Sequence, residues 1–122
     1  MKKVGVLGLG IMGSAMSSNL IHAGFEVIGY DPVEEQVAML ESLGGKGAGN
    51  PREVAEQCQA VITSLPTVEA LRQVTGGDQG LAHASGEGFI VIECSTFPLV
   101  AKEEARSVLE QTGTVMLDCP LS

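Results

Sequence analysis

Residues 3–31 read KVGVLGLGIMGSAMSSNLIHAGFEVIGYD, and this stretch decides the fold class. Lys3 to Leu7 is a short apolar run of the kind that fills a buried parallel strand. From Ile11 to Ala23 the period becomes helical, with Met12, Met16, Leu20 and Ala23 on one stripe and Ala15 beside it. Gly24 is placed as a C′ stop. Glu26 to Tyr30 reads as a second strand, and Asp31 stands at its end. Between the first strand and the helix lies Gly8-Leu9-Gly10-Ile11-Met12-Gly13, a G-x-G-x-x-G loop. Strand, glycine loop, helix, strand and acid in that order form the dinucleotide-binding pattern. Each glycine has a task. Gly8 permits a tight turn, Gly10 lets a pyrophosphate approach the backbone, and Gly13 lets the helix pack close to the sheet. The helix N-terminus then offers unpaired N–H groups and a positive dipole end to phosphate. The competing reading is an ordinary glycine-rich turn.

Asp31 has two readings. It can accept hydrogen bonds from the adenosine ribose hydroxyls, or it can N-cap a helix that Pro32 and Glu34 begin. The ribose role favours NAD over NADP, because a 2′-phosphate would meet a like charge. No Lys or Arg occurs between residues 31 and 45, and Lys46, the nearest, is read as pointing elsewhere.

Beyond residue 31 strands and helices keep alternating. A helix with Val33, Val37 and Leu40 on its inner face ends at Gly44-Gly45. A short strand is expected at 46–48. Asn50-Pro51-Arg52-Glu53 opens a short helix ending near Cys58, with Asn50 as N-cap. Further strands are expected at 60–65, 89–94 and 114–118. Helices are expected at 67–74 and 98–112, the latter turning Ala101, Ala105, Val108 and Leu109 inward. This predicts an α/β fold: a doubly wound, mainly parallel six-stranded Rossmann sheet with helices on both faces. In the order 3-2-1-4-5-6, ligands sit outside the carboxyl ends of strands one and four. Leu65, Pro66 and Thr67 should then face the glycine loop, unless they form a plain turn. Ser95 and Thr96 either cap the next helix or reach the nicotinamide ribose and substrate. Ser122 receives no role from spacing.

Composition narrows the classes. The chain has 122 residues, 44% hydrophobic and 18% charged, enough for one real core and too apolar for disorder. Aromatics are 3% with no Trp, so Val, Ile, Leu, Ala and Met must build that core. A net charge of −8 opposes nucleic-acid binding but permits a nucleotide held by backbone N–H groups. Cys58, Cys94 and Cys119 lack metal or disulfide spacing and read as reduced core residues of a cytoplasmic protein. The uncharged run from Val4 to Phe25 could imitate a membrane span or signal peptide, but its glycines and polar residues argue against a bilayer. His22 and His83 read as solvated, and Glu34-Glu35 and Glu103-Glu104 as acids at helix starts. No linker, repeat or second domain is visible. The whole, 1–122, reads as one dinucleotide-binding domain and as the first part of a larger protein.

GLGIMGSAMSSNLIHAGFEVIGYD at 8–31, ITSLP at 62–66, ECSTFP at 93–98 and LDCPLS at 117–122 resemble, in order, four blocks of the β-hydroxyacid dehydrogenases. That family includes 3-hydroxyisobutyrate dehydrogenase and tartronate semialdehyde reductase, with 6-phosphogluconate dehydrogenase more distant. The chain departs from the family pattern at Ser64, Glu93, Cys119 and Leu121. The resemblance implies NAD binding through Gly8, Leu9, Gly10, Ile11, Met12, Gly13 and Asp31, with Leu65, Pro66 and Thr96 lining the cofactor. It implies that Ser122 matches the serine that, with two following glycines, holds the substrate carboxylate. It places the family's catalytic lysine on a helix of a second domain outside this chain, so no catalytic residue is expected here. Lys2, Lys3, Lys46 and Lys102 lie outside that motif. The implied parent reaction is hydride transfer between nicotinamide and a small 3-hydroxy acid, in a homo-oligomer built by the second domain. Residues 1–122 alone should bind cofactor without turnover. A stand-alone NAD-sensing module and an S-adenosylmethionine-dependent methyltransferase are the alternatives, the latter opposed by Gly13.

Overall fold

In the computed structural model, residues 2–84 and 88–120 are described. The first strand, β1 (Lys3–Leu7), is apolar on both sides and lies mid-sheet. It pairs in parallel with β2 (Glu26–Tyr30) on one edge and β4 (Ala60–Thr63) on the other. Beyond β2 lies the two-residue strand β3 (Lys46–Gly47); beyond β4 lie β5 (Ile90–Glu93) and β6 (Val115–Asp118). All six strands are parallel, in the order β3-β2-β1-β4-β5-β6, as the sequence predicts.

The reversal of strand order between β1 and β4 sends the crossover helices to opposite faces. Helices α1 (Ile11–His22) and α2 (Glu34–Ser42) lie over one face, where Val6, Leu9, Val27 and Leu40 form a small core. Helices α3 (Pro51–Ala55), α4 (Val68–Gly76) and α5 (Leu99–Glu110) lie over the other. There Leu7, Val61, Leu71, Val91, Leu109 and Met116 belong to the larger core. On β5 and β6 only that face is closed: Val91 and Met116 are buried, while Val115 and Leu117 on the opposite face are exposed. No helix among the described residues is long and apolar enough to cross a membrane.

Several local expectations need correction. Asp31 does not cap α2. Its carboxylate accepts from Leu9 N and Val33 N, so the helix begins two residues later than expected, at Glu34, with Val33 as an N-cap that makes no side-chain bond. Val33 is therefore exposed rather than on the inner face. In α1 Gly13 and Ser17 are buried and Leu20 packs against the smaller core as expected, with Ile21 beside it, whereas Met12, Ala15 and Ala23 are exposed. The start of the helix lies too close to the strands for a side chain at Gly13, and Ser17 disposes of its hydroxyl by donating to Gly13 O at 2.8 Å. Helix α3 stops at Ala55 and the chain reaches Cys58 through a turn. The loop after α4, through Gly77 and Gly80, contains a turn of 3-10 helix, Leu81–His83, whose Leu81 is buried. Cys58 and Cys94 are buried but Cys119 is exposed. Burial pushes the Cys58 thiol up to about 11, which leaves it unreactive at neutral pH. Glu103 and Glu104 lie a turn inside α5 rather than at its start, and Glu104 pairs with Arg72 at 2.9 Å. Asn50 caps α3 as expected, accepting from Glu53 N at 2.9 Å, while Glu53 Oε2 accepts from Gly49 N.

A cofactor cleft at the carboxyl ends of the strands

The cleft opens where β1 and β4 diverge. It encloses about 1180 Å³. Gly8 follows β1 with φ of +93°, and a Cβ there would lie 2.0 Å from Ser64 O, so only glycine fits between the two strand ends. Its N–H donates to Tyr30 O at 3.0 Å, and Ser64 N donates to Leu7 O at 2.9 Å. The turn is thus held from both neighbouring strands.

The loop then enters α1. No side chain caps this helix and no acid stands in its first turn. Its leading N–H groups are orphan donors beside the positive dipole end. Gly10, the N-cap, borders the cleft, and a Cβ on it would meet nothing within 4 Å. Gly13 faces the other way: a Cβ there would lie 1.8 Å from Gly8 O. Gly10 keeps space open and Gly13 closes it. A bound dinucleotide's pyrophosphate fits this donor set. Among the cleft-lining residues none is Lys, Arg or His, so backbone N–H groups must carry the anion.

Asp31 stands at the end of β2, across the loop. Its Oδ2 accepts from Leu9 N at 2.8 Å and its Oδ1 from Val33 N at 2.9 Å. The carboxylate is oriented by two backbone donors and borders the cleft. Leu9 itself is buried in the smaller core, so only its backbone serves the loop. Lys46 sits at the far end of the sheet, its Nζ 3.0 Å from Glu26 Oε1. That contact holds the Glu26 carboxyl below the usual range.

Gly8, Gly10, Ile11, Met12, Gly13, Asp31, Leu65 and Pro66 all border this one cleft. Thr67 is not on its wall; its Oγ1 accepts from Ala70 N at 3.0 Å and caps α4. Ser95 and Thr96 are not on the wall either. Ser95 is buried and supports the wall from behind, its Oγ accepting from Leu65 N at 2.7 Å. Ser122 lies outside the described residues. Sequence reasoning missed the wall beyond Asp31, which Val33, Gln36, Asn50, Pro51 and Gln73 build. The available signal was Asp31 itself: once its carboxylate holds Val33 N, α2 starts late and Val33 is freed to line the cleft.

Behind the wall lies a polar row, buried at Thr63 and Glu93 and open to solvent at Asp118. Thr63, Glu93 and Asp118 are in register on β4, β5 and β6. Glu93 is wholly buried, and its Oε1 accepts from Thr63 Oγ1 at 3.0 Å and from Ser95 N at 3.1 Å. Lys102 descends from α5, its side chain 5% exposed, and donates to Asp118 Oδ1. Its Nζ lies 3.1 Å from Glu93 Oε2. That oxygen has no hydrogen-bond donor of good geometry among the described residues, so the ion pair is its one compensation. Burial alone would lower the Lys102 ammonium, but Asp118 and Glu93 outweigh it and hold it above the usual range. A raised folded value means this contribution is complete below the unfolded lysine pKa of about 10.4 and lost as pH rises through the folded one. The difference in Tm between wild type and Lys102→Met should therefore stay constant to about pH 10 and shrink at higher pH. A difference that instead grows in alkali contradicts the pairing.

The comparisons agree with this geometry. Residues 3–122 match the family described as the NAD binding domain of 6-phosphogluconate dehydrogenase. The mitochondrial 3-hydroxyisobutyrate dehydrogenase of Mus musculus is 37% identical over 120 residues, covering 98% of this chain and 36% of that protein. The NAD-dependent L-serine dehydrogenase of Pseudomonas aeruginosa is 31% identical, over 100% of this chain and 41% of that one. A solved structure of Mycobacterium tuberculosis 3-hydroxyisobutyrate dehydrogenase with L-serine superposes with a TM-score of 0.90 at 31% identity, covering all of this chain and 41% of that one. The chain thus spans about two-fifths or less of the length of these relatives. With its glycine loop, strand order and full-length family match in agreement, the chain belongs to the family of NAD-binding domains that includes that of 6-phosphogluconate dehydrogenase.

Proposed function

We propose that this chain holds NAD for a dehydrogenase that moves a hydride between nicotinamide and a small 3-hydroxy acid. The observation that carries the reading is that the uncapped N-terminus of α1 and the Asp31 carboxylate open onto one cleft. Leading N–H groups of α1 would hold the pyrophosphate. Asp31, its orientation set by Leu9 N and Val33 N, would accept from the adenosine ribose hydroxyls with its remaining lone pairs. The other half of the dinucleotide then passes β1 and runs along Leu65 and Pro66 toward the loop of Ser95 and Thr96. Bound NAD supplies the hydride acceptor. The substrate class rests on the four-block resemblance, and on the relatives' names: 3-hydroxyisobutyrate and L-serine both carry a hydroxyl two carbons from the carboxylate. In this reading Ser95 and Ser122 serve the substrate side, a proton relay comes from outside residues 1–122, and these residues alone bind cofactor without turnover.

Calorimetric titration with NAD and NADP tests the assignment. The wild-type chain should prefer NAD, since a 2′-phosphate meets Asp31 and no cation on the cleft wall. Asp31→Ala should weaken NAD by roughly tenfold, about the loss of one charge-assisted hydrogen bond, and remove the preference. Equal affinity for both in the wild type, unchanged by the substitution, would return Asp31 to a purely structural role.

A further inference from the structure

The polar row behind the cleft does more than a buried ion pair needs to do. One ammonium touches the ends of two strands, and its partners reach a third. From Lys102 the contacts run to Glu93, from Glu93 Oε1 to Thr63 Oγ1 and to Ser95 N, and from Ser95 Oγ to Leu65 N in the cleft wall. The second arm runs to Asp118, where β6 ends, and Cys119 N donates to Glu93 O at 2.8 Å. The loops after β4, β5 and β6 are thus tied at their roots to one side chain of α5.

We propose that Lys102 is a positioning residue. Through Glu93 and Ser95 it fixes the Leu65 amide and the loops that receive the nicotinamide half of the cofactor. This rests on the NAD reading above. A buried pair adds little to stability on balance, since desolvating two charges offsets most of their attraction. Its distinctive contribution is geometric: a wholly buried glutamate holds one rotamer only while a cation faces it. Thr63 and Ser95 N pull on Oε1 alone, and without Lys102 the Oε2 side has no partner. Glu93 must then turn toward solvent, and Ser95 and Leu65 move with it. The adenosine ribose is placed elsewhere, at Asp31, whose hydrogen bonds run to Leu9 N and Val33 N and not to this network; the glycine loop meets the network only where Gly8 packs against Ser64 and Leu65.

That separation gives the test. ADP carries the adenosine and diphosphate but not the nicotinamide nucleoside, so the ratio of NAD to ADP affinity reports only on the loops beyond β4. Lys102→Met deprives Glu93 of its cation and can destabilise the fold, so the double variant Lys102→Met/Glu93→Gln accompanies it. Glutamine removes the unpaired charge and so spares the fold, but its amide has no Lys102 facing it, and its carbonyl is no longer held toward Thr63 and Ser95 N. In both variants NAD affinity should fall by roughly tenfold while ADP affinity holds, a change in coupling of the size such networks carry. In the folded double variant, NAD affinity equal to wild type overturns the proposal, as does an equal loss for NAD and ADP. A wild-type chain that binds neither ligand removes the NAD reading, and the positioning role falls with it. A wild type that binds both leaves that reading standing whatever the variants do.

Discussion

Gly13→Ala should lower the melting temperature by roughly 12 °C, the effect of about 3 kcal/mol on a domain of this size. Alanine is the better helix former, and in an open helix this exchange would stabilise by about 0.5–1 kcal/mol. Here the added methyl would sit 1.8 Å from Gly8 O and 2.8 Å from Gly8 C, both backbone atoms. Neither can rotate away. Relief requires lifting the start of α1 from the sheet, which also loosens Val6, 3.7 Å from the same point. The clash outweighs the propensity gain. Thermal denaturation followed by circular dichroism measures it directly; a Tm at or above wild type would show that α1 can slide at little cost.

Gly10→Ala should do the reverse. The fold has room for the methyl, and φ at Gly10 is −71°, which any residue adopts. Alanine is a poorer N-cap than glycine, so a loss of a few tenths of a kcal/mol is expected and Tm should move by only a few degrees. NAD binding should fall by about a hundredfold, because the methyl stands where a phosphate oxygen meets the helix N–H groups, and losing one or two hydrogen bonds to a charged group costs about 3 kcal/mol. Titration of the folded variant with NAD reads this out, and unchanged affinity would place the pyrophosphate elsewhere. Two glycines three positions apart should thus give opposite phenotypes: one fails to fold well and binds what folds, the other folds and does not bind.

Much of this architecture is visible in the chain itself. The run through β1, α1 and β2 carries its own punctuation, and the alternation that follows admits few topologies once crossovers are right-handed. What could not be read has identifiable causes. Apolar periodicity assumes that the larger side chains face the sheet, yet α1 begins so close to it that Gly13 and Ser17 face it there, and a large apolar side chain, Leu20, reaches the core only toward the helix end. Asp31 could serve a helix cap or a loop, and only the position of Leu9 N decides between them. Lys102 looks like any lysine on a helix. Its partners are Glu93 and Asp118, from different strands, and no local pattern announces a cation enclosed by non-local carboxylates. The cleft wall at Gln36, Asn50 and Gln73 likewise assembles from three helices or their caps that share no motif.

Because Asp31 is latched by Leu9 N and Val33 N before any ligand arrives, the conformational entropy of that side chain, on the order of 0.5–1.5 kcal/mol, is surrendered at folding rather than at binding. The same latch constrains how cofactor preference could drift in this lineage. A substitution that welcomed a 2′-phosphate at position 31 would also release two backbone donors and untie the glycine loop from β2. A change of cofactor would then require at least one further change to re-anchor the loop, so specificity and architecture at this position are inherited together.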